Sequence, residues 1–276
     1  MGSEMCIRDR YIKNGRIAGV ALDVFKKEST ESPIFSLDER FTVLTPHIGA
    51  STADAQQEAG LTIARDIVRF FEGRDVEYPV NLPHVDADTL KRLKPYISLA
   101  IDIGRVLTQL SSGVSSIDVG FGGELIDMKG RDLITRNLLA SILSEYTSNV
   151  NQVNSLYVAK RKGISVREYN LGSIPYKNMI DVAIVDSAGK RVTAKGVLID
   201  GREKIVELNG LYADFEPKGK LLLFEGEDKF GVIGKFGTVL AKNRINIAEM
   251  HHSRRKKGET TLVSSRVDQK ITKKII

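Results

Sequence analysis

The chain has 276 residues, 42% of them hydrophobic and 28% charged, a length that accommodates two domains or three small ones. Its single cysteine, Cys6, excludes an internal disulfide and a cysteine-based metal site, and no metal is expected. The formal net charge of +6 comes without Trp and without aromatics interleaved among basic runs, so small anionic ligands are favoured over nucleic acid as partners. No apolar run approaches the ~18 residues of a membrane span, and no charged-then-apolar leader is visible. A cytoplasmic protein with no membrane partner is therefore expected.

In chain order, residues 1–10 carry no helical or strand period and read as an unmatched junction segment. The stretch from Tyr11 to Gly19 reads as a helix end with a Gly stop. A buried strand follows over Ala21–Glu28 and ends in a carboxylate. Phe41–Thr45 is a second, β-branched strand, and Pro46-His47-Ile48-Gly49-Ala50-Ser51-Thr52 leads from it into a helix reaching about Glu72. Ser51 is the expected cap of that helix, with Asp54 as reciprocal partner. Ile63, Ala64, Ile67, Val68 and Phe71 form its apolar stripe. After a linker with Pro79 and Pro83, a helical stretch over Asp86–Leu110 is expected to divide at Pro95.

Residues 112–215 read as one α+β module. A strand over Val114–Phe121 precedes helices near 131–145 and 150–162. Strands over 179–186 and 190–199 are joined by the turn Asp186-Ser187-Ala188-Gly189, and a short strand covers 203–208. Gly120-Phe121-Gly122-Gly123 follows a strand but lacks a third Gly at position 125, so a sheet-edge turn is expected there rather than a phosphate loop. A third unit starts at Lys220, with a helix over Val232–Lys242 and strands over Ile245–Met250 and Thr260–Val267. That β-α-β-β order is most of a ferredoxin-like module. Between its last strands, Arg254-Arg255-Lys256-Lys257 reads as a solvated basic turn.

A His on a Pro turn at the C-terminal end of a strand, with an acid-ended strand before it, suits proton transfer. Thr45-Pro46-His47-Ile48-Gly49-Ala50-Ser51-Thr52 together with Ala21-Leu22-Asp23-Val24-Phe25-Lys26-Lys27-Glu28 resembles the catalytic half of the D-2-hydroxyacid dehydrogenase family. The resemblance implies that His47 takes the hydroxyl proton and that Glu28 holds the imidazole and favours its protonated form. It further implies an NAD cofactor, with Asp23, His47, Ile48, Gly49 and Ala50 lining the nicotinamide. The family's Gly-x-Gly-x-x-Gly turn does not occur in the sequence. Arg8 and Arg10 do not match the surroundings of the family's substrate-clamping Arg.

The middle module, through Gly123-Glu124-Leu125, Val150-Asn151 and Lys204–Gly210, resembles the allosteric substrate-binding domain of the long-form D-3-phosphoglycerate dehydrogenase family. Its cations Arg131, Arg136, Lys160, Arg161, Lys162, Arg202 and Lys204 are candidates for an anion site. The last unit resembles an ACT domain. Its turn reads Asp228-Lys229-Phe230-Gly231, with Phe where the family has Pro, and Asn246 falls at the second ligand-facing position. The resemblance implies an effector such as L-serine near Asp228 and Asn246, between chains of a homodimer or homotetramer.

The expected architecture is thus α/β and α+β multidomain. Residues 11–60 are the C-terminal tail of a Rossmann-type NAD-binding domain, and residues 61–85 a return segment of a substrate-binding domain. Residues 86–215 hold linker helices and the α+β intervening domain, and residues 216–276 a truncated ACT domain. The implied parent reaction converts 3-phosphoglycerate to 3-phosphohydroxypyruvate, the entry to L-serine biosynthesis, and the chain as given is expected to be inactive. The competing readings are a non-catalytic regulatory fragment binding serine or phosphate, and another 2-hydroxyacid dehydrogenase with an ACT domain.

Overall fold

The computed structural model describes residues 11, 14, 16–25, 40, 42–72, 74, 76–77, 79–81, 83, 85–256 and 258–271. The chain divides into two compact units, Met1–Tyr78 and Pro79–Ile276.

In the first unit, β1 (Val20–Leu22) and β2 (Thr42–Leu44) pair in parallel, with Leu22 opposite Leu44. Val20, Leu22, Phe25 and Leu44 pack together as its small apolar cluster. Helix α1 (Ala53–Phe71) is capped by Thr52, not Ser51: the Thr52 hydroxyl accepts from the Ala55 amide, satisfying one of the orphan donors of the first turn. The stripe expected to be buried lies open within this unit, with Ile63, Ile67, Val68 and Phe71 all exposed.

The second unit is built on a six-stranded sheet. Helix α2 (Ala87–Leu110) leads into β3 (Ser116–Gly123), helix α3 (Asp132–Leu143), helix α4 (Ser155–Arg161) and β4 (Ser165–Asn170). Strands β5 (Asn178–Val185), β6 (Arg191–Ile199), β7 (Arg202–Leu208) and β8 (Leu211–Phe215) complete it in the order β4-β3-β5-β6-β7-β8. Only β3 and β4 are parallel, because the chain crosses over through α3 and α4 between them; the rest is an antiparallel meander. Helix α2 runs unbroken across Pro95, contrary to the expected division, with Asp86 accepting from Thr89 as its cap. Strands β4 and β8, both missing from the sequence reading, lie at the two edges of this sheet.

Helices α2 and α3 cover one face of the sheet. Leu99 and Ile103 of α2 and Ile134, Leu138 and Ile142 of α3 are fully buried with Ile117, Val119 and Phe121 of β3. Each such side chain contributes about 1.5–3 kcal/mol by leaving water. The Gly120–Gly123 run is the end of an interior strand and not an edge turn. A Cβ on Gly120 would lie 2.7 Å from the Tyr169 ring, so the glycine lets that ring lie across the helix-free face.

The last element group is β9 (Lys220–Glu227), α5 (Val232–Lys242), β10 (Ile247–Arg254) and β11 (Thr260–Val267), with sheet order β10-β11-β9. Leu240, Ile245 and Val267 are its buried core, with Phe236 and Leu222 packed on them; Val239, on the same helix, is 46% exposed. The other face of this sheet joins the intervening domain. Leu262 is buried in the same core as Leu211, Ala213 and Phe215 of β8, and Leu221 and Leu223 pack against that core. The molecule is thus a mixed α/β chain with a sheet-rich intervening domain and a C-terminal ACT-like sheet.

Candidate functional site

The parallel register of β1 and β2 brings the first residues beyond each strand together. The Thr45 amide donates to the Leu22 carbonyl at 3.0 Å, extending the ladder by one bond. Beside it, the Thr45 hydroxyl donates to Asp23 Oδ1 at 2.5 Å. The Ile48 amide donates to the same oxygen at 2.8 Å, and the Gly49 amide donates to Oδ2 at 2.8 Å. The Thr45 hydroxyl foremost, then the two amides, favour the ionised acid and hold Asp23 below the usual carboxylate range.

His47 stands at the top of this turn with φ of 57°, the left-handed region that costs a non-Gly residue energy. Gly49 is required for proximity: a Cβ there would lie 2.9 Å from Asp23 Oδ2. The Ser51 amide donates to the Ile48 carbonyl at 2.9 Å, and Thr52 then opens α1. His47, Ile48, Gly49 and Ala50 all lie on an exposed rim. An open rim with two small residues beside an imidazole fits the flat nicotinamide end of a dinucleotide. Asp23, expected to face that ring, spends both oxygens on the turn itself. Glu28, the expected partner of His47, lies outside the described residues.

The two expected effector residues do not meet within one chain. Strand β11 pairs antiparallel with both β9 and β10, placing Glu227 opposite Thr260 and Ile247 opposite Val267. Asp228 and Asn246 therefore lie beyond opposite ends of β11, level with Glu259 and Asp268, about 31 Å apart at ~3.4 Å per residue. Asp228 accepts from Arg254 at 2.7 Å and from the Gly258 amide at 3.2 Å, and both bonds lower its pKa. Asn246 donates to Asp268 at 2.7 Å. The basic turn is not merely solvated: besides the Arg254 pair, Arg255 donates to the Gly210 carbonyl at 3.0 Å.

The candidate anion ligands are largely committed to carboxylates. Arg131 faces Glu168 at 3.5 Å, Arg136 bonds Asp132 at 3.2 Å, and Lys204 bonds Asp214 at 2.8 Å. Arg202 lies 4.0 Å from Glu216, and Arg161 lies over the Tyr157 ring. Cations paired in this way and carried on different elements do not make one preformed anion pocket. Among the described residues, no group of three or more His, Cys, Asp or Glu is placed to hold a metal ion. No described helix is long and apolar enough to cross a membrane.

Residues 92–209 match the D-3-phosphoglycerate dehydrogenase intervening domain, and residues 220–276 match the ACT domain. The D-3-phosphoglycerate dehydrogenase of Bacillus subtilis strain 168 is 34% identical over 271 residues, covering 96% of this chain and 51% of its own length. The chain carries a D-3-phosphoglycerate dehydrogenase intervening domain followed by an ACT domain. The enzyme of that name from Archaeoglobus fulgidus is 35% identical over 244 residues, covering 87% of this chain and 46% of the relative. That from Methanocaldococcus jannaschii is 33% identical over 268 residues, covering 96% of this chain and 50% of the relative. The chain thus spans about half the length of the curated relatives it matches.

The sequence reading missed Thr45 and Arg254. A hydroxyl one residue before a Pro-His turn was the available signal for the first. The second lay in a basic run with no period, and only the β10–β11 pairing shows that it reaches Asp228.

Proposed function

We propose that this chain supplies the proton-transfer end and the regulatory modules of an NAD-dependent D-3-phosphoglycerate dehydrogenase, acting on 3-phosphoglycerate in the route to L-serine. The observation that carries the proposal is the Asp23-held turn. It fixes an exposed imidazole at the end of a parallel strand, ahead of an intervening and an ACT domain. Bound NAD supplies the hydride acceptor. His47 takes the proton of the substrate hydroxyl at an imidazole nitrogen, and Glu28 stabilises the imidazolium that results. Ile48, Gly49 and Ala50 shape the rim against which the planar ring would rest.

The test is His47→Ala in a protein of the relatives' full length that carries this chain. NADH formation from 3-phosphoglycerate should fall ~10²–10⁴-fold, the usual worth of general acid–base catalysis. A variant that retains wild-type turnover would remove His47 from the mechanism.

The effector reading rests on the ACT domain match. L-serine would sit between two copies, with Asp228 of one chain and Asn246 of the other, because the two ends of β11 are too far apart to share a small ligand. Side-by-side pairing of two ACT sheets would make the protein a homodimer or a larger homo-oligomer. Asn246→Ala should abolish serine binding measured by calorimetry, since losing one partner of a buried polar ligand costs ~1–3 kcal/mol. Serine affinity unchanged in that variant would place the effector elsewhere. Cytoplasmic location is part of this proposal.

A further inference from the structure

We propose that Thr45 and Asp23 form a clamp that sets the backbone at His47, so that Thr45 is a positioning residue for proton transfer. The proposal rests on the reading of His47 as the proton-transfer group and adds to it a residue that neither the motif nor the family match singles out.

Four observations converge on it. One carboxylate collects three donors from the turn that carries His47: the Thr45 hydroxyl and the amides of Ile48 and Gly49. The donors flank His47 on both sides in sequence, so the carboxylate closes a ring around it. His47 itself is in the left-handed region, where an L-residue persists only if its neighbours over-determine the conformation. Gly49 leaves room for the closure, since a Cβ there would meet Asp23 Oδ2 at 2.9 Å.

The division of labour follows from chemistry. Two amide bonds to different oxygens set the plane of the carboxylate against the turn. The Thr45 hydroxyl binds the remaining side of Oδ1 and fixes the side-chain rotation of Asp23 from the strand. Thr45 is anchored in turn by its own amide, bonded to the Leu22 carbonyl at 3.0 Å. The clamp is therefore referenced to the β1–β2 ladder. Without the hydroxyl, Asp23 is free to swing, the two amide bonds weaken and His47 relaxes towards ordinary backbone angles.

The experiment compares Thr45→Val, Thr45→Ser and Gly49→Ala with the parent by amide hydrogen exchange on the full chain. Exchange at Ile48 and Gly49 should quicken ~10-fold in Thr45→Val, the loss of one net hydrogen bond. Thr45→Ser keeps the hydroxyl and should restore protection. Gly49→Ala should mimic Thr45→Val at the Ile48 amide by displacing the carboxylate. The Thr45 amide reports the integrity of β1–β2 and should keep its protection in all three. Unchanged exchange at Ile48 and Gly49 in Thr45→Val, or equal loss in Thr45→Ser, overturns the clamp. The same variants assayed in a protein of the relatives' full length should lower kcat with little change in the KM for NAD in Thr45→Val, rescued in Thr45→Ser. If exchange responds as stated while both His47→Ala and Thr45→Val leave turnover intact, the clamp stands and the catalytic reading of His47 fails.

Discussion

At the scale of single residues, two aspartates on the helix-free face of the large sheet are held in opposite ways. Asp118 is 7% exposed and accepts from Arg191 at 2.8 Å and from Arg167 twice at 3.1 Å. Burial works against its charge, but the bonds from the two guanidinium groups prevail and its pKa is lowered. Its stabilising effect is therefore complete above the unfolded value of about 4 and lost as pH falls through the folded one. Asp181 is the reverse case. Burial raises its pKa against the bond from the Tyr169 hydroxyl at 3.0 Å, and burial beside Asp181 pushes that hydroxyl up to about 12. A raised acid stabilises the fold below the unfolded value and loses that effect as pH rises through the folded one. Asp181→Asn keeps an acceptor for Tyr169 and removes the half-buried charge. Urea midpoints for this variant should exceed the parent's at neutral pH and converge with it near pH 4, and a lower midpoint at neutral pH would refute this reading. Asp118→Ala should cost about 1–3 kcal/mol at neutral pH, with the deficit shrinking in acid.

At the scale of elements, α2 carries two residues that a free helix would reject. Pro95 lies nine residues into it, where its missing amide and its ring oppose the helix. The helix continues because Leu93, Leu99, Ala100 and Ile103 on either side of it are buried completely, and that burial outweighs a penalty of ~3 kcal/mol. Pro95→Ala should accordingly stabilise the protein by about 1–3 kcal/mol, read as a rise in the urea midpoint without a change in slope. Gly104 is the opposite case. A Cβ there would run into the Ser141 hydroxyl and lie 3.1 Å from Leu138 Cδ1, so the glycine is the contact point of α2 with α3. Gly104→Ala gains up to ~1 kcal/mol of helix propensity and loses ~1–3 kcal/mol to overpacking. A net loss of stability is expected, and thermal melts that show a gain would mean the helices separate without cost.

At the scale of the whole molecule, the intervening and ACT domains share one core although their sheets are separate. Leu221, Leu223 and Leu262 join Leu211, Ala213 and Phe215 across the two. Polar contacts border the seam: Ser253 donates to the Tyr212 carbonyl, and Tyr212 meets His251 edge-on at 5.5 Å. A shared apolar core couples unfolding more tightly than surface contacts do. A protein of residues 79–276 should therefore fold by itself and melt in one transition by calorimetry. Two resolved transitions would show that the shared core is too small to couple them.

Periodicity alone made most elements readable: α5 over Val232–Lys242 and β11 over Thr260–Val267 stand where the pattern puts them. The regular spacing of their apolar residues is a local property, and local properties survive in a one-dimensional string. The Pro-His turn was legible for the same reason, since its residues are contiguous. Other features depend on partners distant in the chain. Continuity of α2 through Pro95 rests on a core assembled from β3 and α3 as well as α2. The interior position of Gly120 appears only once Tyr169, forty-nine residues on, lies across it. The separation of Asp228 from Asn246 follows from two antiparallel pairings with β11, which no spacing along the chain encodes. The sequence by itself determined which residues are able to carry the chemistry. Only the tertiary structure decided which of them meet, because hydrogen-bond register and packing act between segments whose order in the chain does not reveal their distance in space.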